Sequence, residues 1–252
     1  MSLWRLEWLR LTRTRRWVAL LGVYLFFGLL GPLTARYLGE ILDLAGGELE
    51  GAVIELPPPT PVDGMAQFVS NAVQIGTLVA VVVAAGALAI DAIPEMGVFV
   101  RTRSRGMGRV LVPRYVVATL AAVVAYVFGV GAAWYETWVL IGPPDAAGVL
   151  WGALFGALYL AFAVSLVAVV AARASSVLGT VMISLVALLV LPILGVIESV
   201  GRWSPAQLAT ALADLAAGGY DLSEYAGAVV VTVVLTPLLL WSAVRLLDRR
   251  EP

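Results

Sequence analysis

Neither cysteine, nor histidine, nor lysine occurs anywhere in the 252 residues. Without cysteine there are no disulfides and no thiol ligands. Without histidine the usual general base and metal ligand are missing, and with them every Ser-His or Cys-His nucleophile pair. A phosphate-cradling G-x-x-x-x-G-K-[ST] loop requires lysine, so this chain does not hydrolyse ATP that way. Charge is scarce as well. Only 13% of residues are charged, where a soluble domain carries roughly a quarter. What fills the chain instead is apolar: 61% hydrophobic residues and a mean hydropathy of +0.96. Lipid is the solvent such a surface requires.

A bilayer core about 30 Å thick takes roughly 20 apolar residues per helix. Six stretches meet that length: about 17–35, 66–90, 116–135, 149–171, 177–197 and 226–244. The fold class expected is therefore an all-α polytopic membrane protein with six transmembrane helices and no separate soluble domain. The first apolar run is too long for the core of a cleaved signal peptide, and "GPLTARYLGE" after it makes a poor cleavage site.

The arginines fall unevenly between the spans. Arg5, Arg10, Arg13, Arg15 and Arg16 precede the first, and Arg101, Arg103, Arg105, Arg109 and Arg114 lie between the second and third. Arg173 sits between the fourth and fifth, and Arg245, Arg249 and Arg250 follow the sixth. If every span crosses, 14 of the 16 arginines share one side, while 12 of the 17 acidic residues lie opposite. The positive-inside rule then places both termini in the cytoplasm.

The connections differ in kind. The outer segment 36–64 is acidic, and its "LPPPTPVDG" is expected to be extended because proline fixes φ and disfavours helix before it. In the outer segment 198–225, Ser204-Pro205-Ala206-Gln207 reads as a capping box, and "AQLATALADLAA" as a short outer helix ended by Gly218-Gly219. Asp221-Leu222-Ser223-Glu224 repeats that capping logic before the sixth span. At the N-terminus, residues 1–16 place Trp4, Trp8 and Leu11 on one helical face among arginines, a pattern suited to an interfacial helix at headgroup level.

Within the spans, no ionisable residue lies centrally, unlike ion-coupled carriers. Asn71 and Gln74 stand about one turn apart in the outer half of the second span, where either helix packing or the lining of a pathway accounts for them. Gly152 and Gly156 fit close helix packing, Pro192 a bend, and Ser165 and Ser184 hydrogen bonding within their helices. An intramembrane protease of rhomboid type needs histidine, and a metal-dependent membrane transferase needs a series of aspartates along one helix. This chain has neither.

The segment "AIDAIPEMGVFVRTRSRGMGRVLVPRY" carries the densest charge. A nucleic-acid role does not suit it, being short, closely followed by membrane and poor in stacking aromatics. An anionic-lipid patch suits the arginines but leaves Asp91, Glu95 and Gly97 unexplained. The order of an acidic residue, a glycine, an apolar stretch and then "TRSRGMGRVLVPRY" resembles the first cytoplasmic loop of type-2 ABC exporter permeases. In that family the loop reads Glu-x-Gly, a few apolar residues, a Pro-x-Ser-Arg element and a basic residue opening the third span. Glu95, Gly97, Ser104 and Arg105 match those positions, and Arg114 takes the place of the usual lysine. The family proline is absent, with Thr102 and Arg103 in its neighbourhood. "LFFGLLGPLTARYLGEIL", "IELPPPTPVDGMAQFVSNAVQIG" and "WSPAQL" extend the resemblance over essentially the whole chain.

The resemblance implies a membrane permease subunit of an ABC transporter, an exporter in the prokaryotic plasma membrane, with no enzymatic activity of its own. It would bind no cofactor; ATP and magnesium would sit on a partner ATP-binding cassette subunit. A second permease copy, identical or paralogous, would complete the pathway, and membrane lipids rather than nucleic acid would surround it. Residues 91–114 would form the coupling loop, with Asp91, Glu95, Gly97, Ser104 and Arg105 meeting the ATPase. The N-terminal helix would be an elbow on the inner leaflet. The alternative is a membrane anchor or immunity protein that transports nothing.

Overall fold

The computed structural model describes residues 3–46, 57–92, 97, 102, 106–174 and 176–249. All of its regular structure is helical among these residues. Six helices are long and apolar enough to cross a membrane.

In chain order, α1 spans Leu3–Arg13 and α2 Arg16–Gly46. α3 (Pro61–Asn71) passes through a π-helical turn at Ala72–Gly76 into α4 (Thr77–Leu88), forming the second span. α5 is Gly108–Leu140, α6 Ala146–Ala171 and α7 Val177–Gly195. A four-residue turn, α8 (Glu198–Gly201), and the short α9 (Ala206–Leu215) precede α10 (Ala226–Asp248).

Several helices outrun their apolar cores. α2 continues to Gly46, past the expected end near residue 35, so the first outer connection is much shorter than 36–64. α3 begins within the proline-rich stretch. Pro61 takes the first helical position, and Asp63 Oδ2 accepts from the Thr60 backbone N–H and hydroxyl, each at 2.7 Å. That capping box turns an expected extended segment into a helix start. Likewise α5 begins at Gly108, so Pro113 and Arg114 lie inside a helix rather than in the loop before it. Pro113 is the sixth helical residue, past the first turn, so the helix forgoes the bond an N–H there would make to the Arg109 carbonyl.

Glycines let the helices approach. Gly28 of α2 lies against the Gly129 carbonyl of α5, where an added Cβ would come within 2.5 Å of that oxygen. One Cβ on Gly129 would meet the Tyr24 carbonyl at 2.7 Å. On α6, Gly148 and Gly152 face α9 so closely that a Cβ would strike the Leu215 carbonyl or the Leu212 Cα. A Cβ on Gly156 would strike the Tyr126 hydroxyl. Small residues at such spacing allow the backbone contacts that bind helices together in lipid. This anchors the short α9, whose Leu208, Leu212 and Leu215 are fully buried.

The expected end of α9 is where the sequence put it. Gly218 and Gly219 both take positive φ, +75° and +67°, which a side chain would resist. Its start differs in detail. Ser204 Oγ accepts from the Ala206 N–H at 3.3 Å, while Gln207 Oε1 is buried with no partner among the described residues, so the reciprocal half of the capping box is not made. Asp221 does cap, Oδ1 accepting from the Ser223 N–H at 2.9 Å. That donated bond holds its carboxyl below the ordinary range. Ser165 donates to the Phe162 carbonyl at 2.7 Å as expected of a helix hydrogen-bonder; the buried Ser184 hydroxyl finds no partner among the described residues.

Candidate functional site: the basic end of the bundle and a polar stripe toward the other end

At one end of the bundle four helix ends are joined by charged side chains. α1 turns into α2 through Arg15, whose φ of +54° is left-handed, a conformation costing roughly 1–2 kcal/mol outside glycine. The turn folds α1 back on the bundle. The face it presents there carries Glu7, which is buried, while Trp4 and Trp8 remain about half exposed.

Glu7 Oε1 accepts from Arg114 Nε at 3.1 Å, with only 6% and 9% of the two side chains accessible. Arg114 Nη1 also donates to the Ala87 carbonyl at 3.3 Å. That carbonyl belongs to the last turn of α4, where helix geometry leaves C=O groups without partners and the macrodipole favours a cation. One guanidinium thus ties α1, α4 and α5 together. Arg10 approaches Glu7 from the same helix at 3.9 Å. The cavity these residues enclose with Arg16 is about 20 Å³, room for one water and no ligand.

A second tie closes the same end. The Met107 N–H, at the start of α5, donates to Asp248 Oδ1 at 2.9 Å at the end of α10. An acid beside a helix start satisfies an orphan N–H and complements the dipole. The connection between the second and third spans is therefore held on its exit side to α10 and, through Arg114, to α1 and α4.

On its entry side a 3₁₀ turn at Ile90–Ala92 follows α4. Asp91 lies there, and its Oδ1 stands 2.7 Å from where a Cβ on Gly97 would be. The structure thus brings Asp91 and Gly97 together, and a side chain at 97 would first have to displace the Asp91 carboxylate, the flexible end of its side chain. Gly97 and Thr102 are helical. Glu95, Ser104 and Arg105 lie outside the described residues.

Toward the opposite end, Asn71 and Gln74 share a face with Gln67 and Ser70. Asn71 Nδ2 donates to the Gln67 carbonyl at 2.9 Å, and Gln74 Nε2 to Ser70 Oγ at 3.2 Å. Asn71 is half-buried and Gln74 exposed. Neither reaches a neighbouring helix through these bonds. Gln74 lies inside the π-helical turn, a feature found often at functional sites. Gln67 also lines a crevice of about 460 Å³ between α2 and α3, shared with Arg36, Glu40 and Asp63. Polar groups and a crevice therefore run together along this side of the second span.

Sequence reasoning passed over Glu7, although a signal was present: it is the sole acidic residue before Glu40 and stands among five arginines. It also passed over Asp248 as a cap, since its partner is 141 positions away. No group of three or more metal-ligating residues occurs among the described residues. No family model matches the chain, and no match was found among the curated proteins or the solved structures.

Proposed function

We propose that this chain is the membrane-spanning permease subunit of an ABC exporter, working with a separate ATP-binding subunit and a second permease copy. The observation that supports it best is the anchorage of the loop between the second and third spans. Met107, at the loop's exit, is bonded to Asp248 of α10, and α5, which the loop enters, is tied through Arg114 to Glu7 of α1 and to the Ala87 carbonyl of α4. A short element so held transmits a push from a docked domain to several helices, as a coupling segment must. Asp91 against Gly97, with helical backbone at 97 and 102, gives the loop a compact entry.

In this reading Glu95, Gly97, Ser104 and Arg105 contact the ATPase and Asp91 braces Gly97. The polar stripe of Gln67, Ser70, Asn71 and Gln74 lines the pathway, because polar groups are costly against lipid. ATP and magnesium belong to the partner, both termini to the cytoplasm, and α1 to the inner membrane surface.

The test uses the complex isolated from its native membrane. The chain should copurify in equal amounts with a protein that hydrolyses ATP, and Gly97→Leu should abolish transport-linked turnover while membrane insertion stays normal. A Gly97→Leu complex that hydrolyses and transports like the parent would overturn the coupling role. Absence of any ATP-hydrolysing companion would favour an anchor instead.

A further inference from the structure

Two other helix ends meet beside the joints described above. Arg173 follows α6, and Arg245 and Arg249 lie one turn apart at the end of α10; together they line a cleft of about 610 Å³, within the range of small-molecule sites, about 300–1,000 Å³. Trp241, Ser242 and Val169 line its other part. The cleft is graded along the helices. Val169 and Trp241 are one turn farther into their apolar spans, and the three arginines stand at the span ends. Trp241 is 59% exposed, and the Arg245 guanidinium lies 5.2 Å from its ring centroid, in cation–π contact. Among the described residues no carboxylate lines the cleft. The nearest in sequence, Asp248, is engaged by the Met107 N–H.

We propose that this cleft binds one anionic phospholipid, its phosphate among Arg173, Arg245 and Arg249 and its acyl chains along Trp241 and Val169. Three features select a lipid rather than an acidic protein or a free anion. The cleft's apolar part lies within the membrane-crossing segments, where a cytosolic partner does not reach. Its tryptophan suits the headgroup boundary. The three arginines place summed positive charge at that boundary, where the anionic headgroup of a lipid sits. The proposal rests on the chain's spanning a membrane and not on its being a transporter.

The full chain, purified in neutral detergent, would be offered equal amounts of phosphatidylglycerol and phosphatidylcholine. Retained lipid would be counted by native mass spectrometry. The parent should retain phosphatidylglycerol preferentially, near one per chain. Each arginine near an anionic surface should contribute roughly fivefold, so Arg173→Gln, Arg245→Gln and Arg249→Gln combined should lower the preference by about a hundredfold. Trp241→Ala should weaken retention of both lipids. The triple lysine variant, Arg173→Lys with Arg245→Lys and Arg249→Lys, should keep most of the preference and shows that loss in the glutamine variant is not misfolding. Four results overturn the proposal: no preference in the parent, equal loss in the lysine variant, equal loss from the control pair Arg13→Gln and Arg109→Gln, or displacement of the lipid by millimolar inorganic phosphate.

Discussion

Removing either end of the Glu7–Arg114 pair should not have equal effects, and the inequality can be worked from the structure. Both side chains are over nine-tenths buried. Breaking a buried pair from one side costs about 3–5 kcal/mol, because the other charge stays behind unpaired. Glu7→Met leaves Arg114 with the neutral Ala87 carbonyl at 3.3 Å, and an arginine does not give up its proton. About 3 kcal/mol is expected, the low end of that range, because one acceptor remains. Arg114→Met instead leaves a glutamate that keeps a cation, Arg10 at 3.9 Å, so about 1 kcal/mol is expected, near the cost of one lost hydrogen bond. The double variant Glu7→Met with Arg114→Met removes both charges and should fall within about 1 kcal/mol of the parent. The coupling in this cycle is then about 3–5 kcal/mol. Unfolding in mixed micelles of mild and denaturing detergent, followed by near-ultraviolet circular dichroism, measures all four proteins. If Arg114→Met costs as much as Glu7→Met, or the double variant equals the sum of the singles, the pair is not the joint described.

Two further outcomes are expected. Single cysteines introduced at Pro58 and Pro143 of this cysteine-free chain should react with an impermeant maleimide in intact cells, and cysteines at Ser104 and Arg250 should not; outside labelling at 104 would reverse the orientation. Gly152→Leu should separate α9 from α6 and destabilise by about 1–3 kcal/mol, as overpacking does, whereas Gly22→Leu, with open space where its Cβ would stand, should cost well under half that in the same unfolding assay.

The Glu7 joint and the lipid cleft have a common lesson about arginine. Sequence counting treats the basic residues at one end as one summed signal. The structure divides them by surroundings. Arg114 is consumed in a buried tie, Arg245 lies over Trp241, and Arg10 supports Glu7. A charge that is buried and bonded acts through geometry, while an exposed one acts through a field that salt screens within about 8–10 Å.

What the sequence determined by itself was the set of helices and where most of them stop. Apolar runs of bilayer length demand helices, since lipid offers backbone groups no other partner, and all six are present. Gly218-Gly219 and Asp221 were legible because their effects are local, reaching only a few residues along the chain. Helix ends beyond the apolar cores were harder to see: α2 runs to Gly46 and α3 starts at Pro61, because capping and tertiary packing extend helices past the point where hydropathy falls. The family reading of Glu95, Ser104 and Arg105 stays a reading of sequence order. Only the tertiary structure decided that Glu7 meets Arg114 across 107 positions, that Asp248 caps α5, and that Arg173 converges with Arg245 and Arg249. Periodicity assigns a residue to a face of its own helix, but it carries no information on which helix that face will meet.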